Sequence, residues 1–182
     1  IYMKKLNEFL NESVNEEDFS DAMDSYLSDN YSDETVKTIL NYKGDEFKKS
    51  SYSGTVLYRG IFFNGLAQNK IADLDKLAKT YKMQDIESWT TSYEEAKFFG
   101  VGKTKYDNVG SLESESKNLD DDQAGVIISM KNIKSKDVIF DADYALSNGA
   151  DFDVIEGDEV LLRKHKPKIE ILSIISKNSV TK

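Results

Sequence analysis

Hydrophobic positions in the first third of the chain recur at helical spacing. Leu6, Phe9, Leu10 and Val14 form one set, and Phe19, Met23, Tyr26 and Leu27 a second; residues three or four apart share one face of a helix. Ser32-Asp33-Glu34 supplies capping chemistry ahead of Val36, Ile39 and Leu40, which predicts a third, short helix. Residues 3 to about 50 are therefore read as a helical lobe. The pattern then changes. Residues 54–60 read Gly-Thr-Val-Leu-Tyr-Arg-Gly, a β-branched and aromatic run bounded by glycines, and predict a strand. Ile71, Leu74, Leu77 and Ala78 return to helical spacing over 70–82. Ile86 to Thr91 predicts a short strand, and Ser92 with Glu95 three residues on has the spacing of a capping box opening a helix.

From Gly100 to Gln123 the chain is polar and aperiodic, which predicts a long loop. Strands are expected at 125–130, 137–140 and 159–163, with a turn through Lys166-Pro167-Lys168 into a last strand at 169–176. Helices first and strands later imply an α+β class in one domain, with no internal repeat and no linker.

Composition removes whole classes of chemistry. The 182 residues suffice for one domain, and 39% hydrophobic with 11% aromatic residues reads as globular. With no cysteine and only His165, thiolate metal sites, Cys nucleophiles and Ser-His-Asp catalysis are excluded, and most His-based metal sites with them. The net charge of −9 argues against broad attachment to nucleic acid. Nine acids and no base lie between Glu12 and Glu34, which reads as a solvated helix face. No apolar run approaches the roughly 20 residues of a membrane span. The first residues lack a signal peptide's apolar stretch; Met3 is a candidate start, behind Ile1 and Tyr2. The expected compartment is the cytoplasm, and the expected state a monomer.

Several partial motifs fail. Gly100-Val-Gly-Lys-Thr104 resembles the end of a phosphate-binding loop, but Lys97 stands where its first glycine belongs, and a helix rather than a strand precedes it. Asp151-Phe152-Asp153 lacks the glycine and glutamate spacing of a calcium loop: Glu156 and Leu162 occupy those places. Asp120-Asp121-Asp122 reads as a solvated loop, and His165 as an exposed member of a basic turn.

Three separated fragments are left: Leu57-Tyr58-Arg59-Gly60, Trp89-Thr90-Thr91-Ser92, and Gly157-Asp158-Glu159-Val160-Leu161-Leu162. An arginine ends one strand, a Ser/Thr cluster ends another, and a glutamate opens a later one. With the Ala96-x-x-Phe99 helix after the cluster, this order resembles the Arg–Ser–Glu class of bacterial and phage mono-ADP-ribosyltransferases, the exoenzyme and toxin-like branch, over residues 35–176. The resemblance implies that fold, with N-terminal helices and two facing mixed or antiparallel sheets around an NAD cleft, and no metal.

The chemistry suits these residue types. Breaking the nicotinamide–ribose bond builds positive charge on the ribose, as in glycoside cleavage. A carboxylate can stabilise that charge and grip the 2′-hydroxyl, and Glu159 is the candidate. Arg59, one of two arginines in the chain, has the planar fork that suits a pyrophosphate. By the resemblance, Gly60, Thr90, Thr91, Ser92 and Phe99 complete the NAD side, with Thr90 at the first serine of the family's Ser-Thr-Ser pattern and orienting the glutamate. Phe99 packs near nicotinamide or in the core.

Family members carry Glu or Gln two residues before the catalytic glutamate, where this chain has Gly157. That departure bears on the acceptor: Glu156, Gly157 and Phe152, with Tyr144 second, are its candidate recognition residues. The expected acceptor is a host macromolecule, a protein side chain ahead of nucleic acid, and the compartment that of a host cell if the chain is phage-encoded. NAD hydrolysis and non-catalytic binding on the same fold are the alternatives.

Overall fold

The computed structural model describes residues 14–28, 30–71, 73–103, 107–150 and 158–181. Two helices come first. Helix α1 (Glu16–Leu27) starts where the Asn15 side chain accepts the Asp18 amide, and its first turn, Glu16, Glu17 and Asp18, complements the helix dipole. It buries Phe19, Ala22 and Met23, the stripe that the spacing predicts. Helix α2 (Asp33–Asn41) opens on a reciprocal capping box between Ser32 and Thr35. The predicted helix around Leu6, Phe9 and Leu10 lies outside the described residues.

Strand β1 (Leu57–Phe63) is followed by α3 (Gln68–Ile71), α4 (Leu74–Lys79), β2 (Ile86–Thr90) and α5 (Tyr93–Gly100). Helix α6 (Leu112–Ser116) and strands β3 (Ala124–Met130) and β4 (Val138–Asp141) come next, then α7 (Ala142–Ser147), β5 (Glu159–Arg163), β6 (Ile169–Ser176) and β7 (Ser179–Thr181). The class is α+β, and the strands form one sheet in the order β4-β5-β2-β1-β3-β6-β7. Every pairing in it is antiparallel.

That sheet differs from the expected pair of facing sheets. Its halves, β4-β5-β2 and β1-β3-β6-β7, are joined at one pair, Tyr58↔Thr90. Strand β1 starts later than predicted and runs on through Gly60, because β3 pairs with it as far as Phe63. The helix expected over 70–82 is two short ones. The polar segment 100–123 contains α6, whose Leu112, Glu115 and Ser116 are buried. Glu115 takes Lys103 Nζ and the Gly110 amide, each at 2.8 Å, and a helix pinned by an ion pair has no hydrophobic period to read.

The covering layers place the site. On one face, α1 and α2 cover the first half of the sheet: Phe19, Met23 and Ile39 pack with Ile86, Phe140 and Leu161. Phe19 stacks on Tyr42 with centroids 4.1 Å apart. Arg163 ties this lobe down by donating to the Leu40 carbonyl at 2.7 Å and the Tyr42 carbonyl at 3.3 Å, at the end of α2. A separate cluster, Ala96, Val101, Leu112, Leu119, Ile127 and Ile175, covers the second half with α5 and α6. The opposite face carries one cluster spanning both halves, including Leu57, Leu74, Trp89, Ile128, Val160 and Leu162. Alternation along each strand sorts the residues: Leu161 faces one side, Val160 and Leu162 the other. Among the described residues no helix is long and apolar enough to cross a membrane.

Candidate active site where β1 and β2 part

The first face is covered by two clusters rather than one, and their border falls at β2 and β1. Ser88 and Thr90 alternate with Trp89 and so share the face of Ile86. Glu159, paired with Thr90 across β2 and β5, alternates with Val160 and lies on that face too. Glu159 and Ser88 are half-buried, and Ser88 Oγ donates a short hydrogen bond to Glu159 Oε1.

Past the pair Tyr58↔Thr90 the ladder between β1 and β2 stops. Arg59 fills the interruption. Its Nη1 donates a short hydrogen bond to the Ser88 carbonyl, while its Nε is buried without a hydrogen-bond partner. Arg59 and Glu159, a hundred residues apart in sequence, therefore meet through one residue: the arginine on the backbone of Ser88, the glutamate on its hydroxyl. Alternation puts Arg59 on the face of Leu57 and Trp89 and Glu159 on the opposite one, so the two reach Ser88 from either side where the strands part. A guanidinium with an unpaired Nε and a half-buried carboxylate can there serve an anion and a developing positive charge.

The α1 helix contributes Tyr26, whose hydroxyl lies 3.5 Å from the Ile86 carbonyl. Burial, Tyr31 and the Glu159 carboxylate push that hydroxyl up to about 12, with Arg59 pulling the other way. The helical lobe thus borders the same charges. Tyr31 tilts against Tyr26 with centroids 4.7 Å apart.

The remaining sequence candidates fall in different places. Thr90 is buried; its hydroxyl donates to Glu95 Oε2 at 2.8 Å and accepts the Ser92 amide at 2.9 Å. The expectation that Thr90 orients the glutamate is corrected: that hydroxyl serves the start of α5, and the one placed on Glu159 is Ser88's. Ser92 caps α5, accepting from the Glu95 amide as its spacing predicts. Thr91 donates its amide to the Asp158 carbonyl at 3.0 Å, which fixes the backbone just ahead of Glu159.

Gly60 has a packing reason. A Cβ there would run into the Ala96 carbonyl and the Gly100 amide, so its lack of a side chain lets α5 lie directly on β1. Phe99 is not in the core: α5 turns Ala96 and Gly100 inward and leaves Phe99 48% exposed. Tyr144 donates its amide to Asp141, the cap of α7. Phe152, Glu156 and Gly157 lie outside the described residues. His165, expected to be exposed, is half-buried with Nδ1 2.9 Å from the Arg163 carbonyl.

Sequence reasoning passed over Ser88. Its signal was parity: two residues before Thr90 in a strand, it occupies the same face. Among the described residues no cluster of three or more His, Asp or Glu groups is arranged to hold a metal ion. No protein-family model matches the chain, and neither does any curated protein or any solved structure.

Proposed function

We propose that this chain is an NAD-dependent mono-ADP-ribosyltransferase with the fold of that class, its cleft opening between the two halves of the sheet. The observation that carries the reading is the Arg59–Ser88–Glu159 connection: the arginine and the carboxylate that the chemistry requires converge on Ser88, two residues from the pair Tyr58↔Thr90 that joins β1 to β2. Arg59 holds the pyrophosphate. Glu159, held by Ser88, grips the ribose 2′-hydroxyl and stabilises the positive charge on the sugar. The bond from the anomeric carbon to nicotinamide breaks with its electron pair leaving on nicotinamide. A nucleophile of the acceptor then bonds to that carbon and gives its proton to solvent. Thr90, Thr91 and Ser92 act behind this pair, tying the end of β2 to α5 and to the approach to Glu159. The acceptor is a macromolecule of the cell in which the enzyme works, with a protein side chain favoured.

The test is incubation of wild type and Glu159→Gln with labelled NAD and a cell lysate, following free nicotinamide and label on macromolecules. Transfer predicts labelled acceptor that requires Glu159. Nicotinamide release without label makes the enzyme a hydrolase. Folded protein that neither releases nicotinamide nor binds NAD sinks the proposal.

A further inference from the structure

Behind Ser88, on the other face of β2, stands a buried acid that the proposed reaction does not use. Glu87 is only 4% exposed. Each of its oxygens has a donor of its own: Oε1 accepts the Gln84 amide at 2.8 Å, and Oε2 accepts a short hydrogen bond from the Tyr81 hydroxyl. The Tyr81 ring stands edge-on to Trp89, centroids 6.3 Å apart. Along β1, Leu57 and Ile61 belong to the cluster of Trp89 and Tyr81, and alternation puts Arg59 on their face. Arg59 therefore leaves β1 on the face that Glu87, Trp89 and Tyr81 occupy.

Opposite charges in such a corner attract strongly, because little water screens them. Yet among the described residues Arg59 and Glu87 form no ion pair: the arginine spends Nη1 on a backbone carbonyl and leaves Nε unpaired. The Tyr81 hydroxyl senses both charges. Burial raises its pKa, Arg59 opposes that rise, and Glu87 adds to it.

We propose that Tyr81 is a positioning residue whose hydroxyl latches Glu87 away from Arg59 and keeps the guanidinium free for the phosphates of an anionic ligand. This rests on the reading that Arg59 is the phosphate anchor. Without the Tyr81 hydroxyl, Glu87 loses one of its two donors, and Arg59, bonded to the carbonyl of the next residue, is a cation on the same face that can take its place. Glu87 then competes with the ligand for Arg59. The latch holds a built-in inhibitor in check.

Calorimetric titration with inorganic pyrophosphate and with NAD tests this on wild type, Tyr81→Phe, Glu87→Gln and the double variant. Tyr81→Phe should weaken pyrophosphate binding about tenfold, as expected when a buried carboxylate must find a new donor. Glu87→Gln removes the competing charge and should bind at least as tightly as wild type. In the double variant the affinity lost with Tyr81 should return, a rescue that a merely structural tyrosine does not allow. Tyr81→Phe binding like wild type, or a double variant no tighter than Tyr81→Phe, overturns the latch. Should Tyr81→Phe fail to fold, Glu87→Gln decides alone, and binding weaker than wild type overturns the inference. Wild type that binds neither probe removes the phosphate-anchor reading and this inference together. Binding of pyrophosphate without NAD removes the NAD reading and leaves the latch open to the same comparison of variants.

Discussion

Strand β1 meets its two neighbours in opposite ways. Against β3 it is laddered along its whole length, from Leu57↔Met130 to Phe63↔Ala124. Against β2 it keeps one pair, Tyr58↔Thr90. The laddered border is apolar and glycine-lined. Gly60 and Gly125 lie beneath α5, and a Cβ on either would strike its backbone. The parted border is crossed by Arg59, which donates to the Ser88 carbonyl, while Ser88 holds Glu159 across the neighbouring pair of strands, β2 and β5. A full ladder satisfies backbone donors and acceptors by itself, whereas a lapse hands that work to side chains. At this border the Arg59 side chain takes a carbonyl that strand pairing would otherwise satisfy.

The largest expected effect breaks the chemistry beside the parted border. Glu159→Gln should lower nicotinamide release by about 10²–10³-fold, the usual loss for a group aimed at transition-state charge. Its unfolding transition should match wild type, since the amide keeps an acceptor for Ser88 Oγ. A folded variant with undiminished turnover would remove Glu159 from the reaction.

The matching break of the laddered border is mechanical. At Gly125 an added Cβ meets the Gly100 carbonyl, a backbone atom that cannot swing aside. Gly125→Ala should cost about 3 kcal/mol in denaturant unfolding, at the upper end of overpacking penalties. An unchanged midpoint would mean that α5 is not seated on the backbone as described.

A smaller change sharpens the comparison. Ser88→Ala removes the hydroxyl from Glu159 but leaves the carbonyl that Arg59 uses. It should cost about 1 kcal/mol of stability, and turnover should fall more than NAD affinity does. Equal losses in affinity and turnover would place Ser88 in binding rather than in holding the glutamate.

The least effect lies far from both borders. The hydrogen bond from Lys103, helped by the Gly110 amide, holds the Glu115 carboxyl below its ordinary range. A depressed folded value means that this contribution to stability is complete above the ordinary carboxylate value of about 4.3 and fades as pH falls through the lower folded value. Glu115→Gln should therefore flatten the acid end of the stability profile while keeping α6. An acid limb identical to wild type would show that the ion pair adds nothing.

Legibility followed the range of the interaction. Ser92 with Glu95, and Ser32 ahead of α2, are caps formed within four residues, and both helices begin where those signals stand. Phe19 and Met23 share a face whatever they pack against. Gly60 was misread as a strand end, because a glycine that admits a helix backbone looks in sequence like one that makes a turn. Helices α6 and α7 and strand β7 were missed: they are short, and α6 is held by Glu115, Lys103 and the Gly110 amide.

The sequence by itself determined the α+β class, most of the regular elements and the residue types of the candidate site, because caps, periodicity and charge are local properties of the chain. Tertiary structure alone decided that the two halves of the sheet join at a single pair, that Ser88 rather than Thr90 carries the bond to Glu159, and that Phe99 faces outward. Each of these depends on the register between strands distant in sequence. A shift of one residue there turns every side chain to the other face.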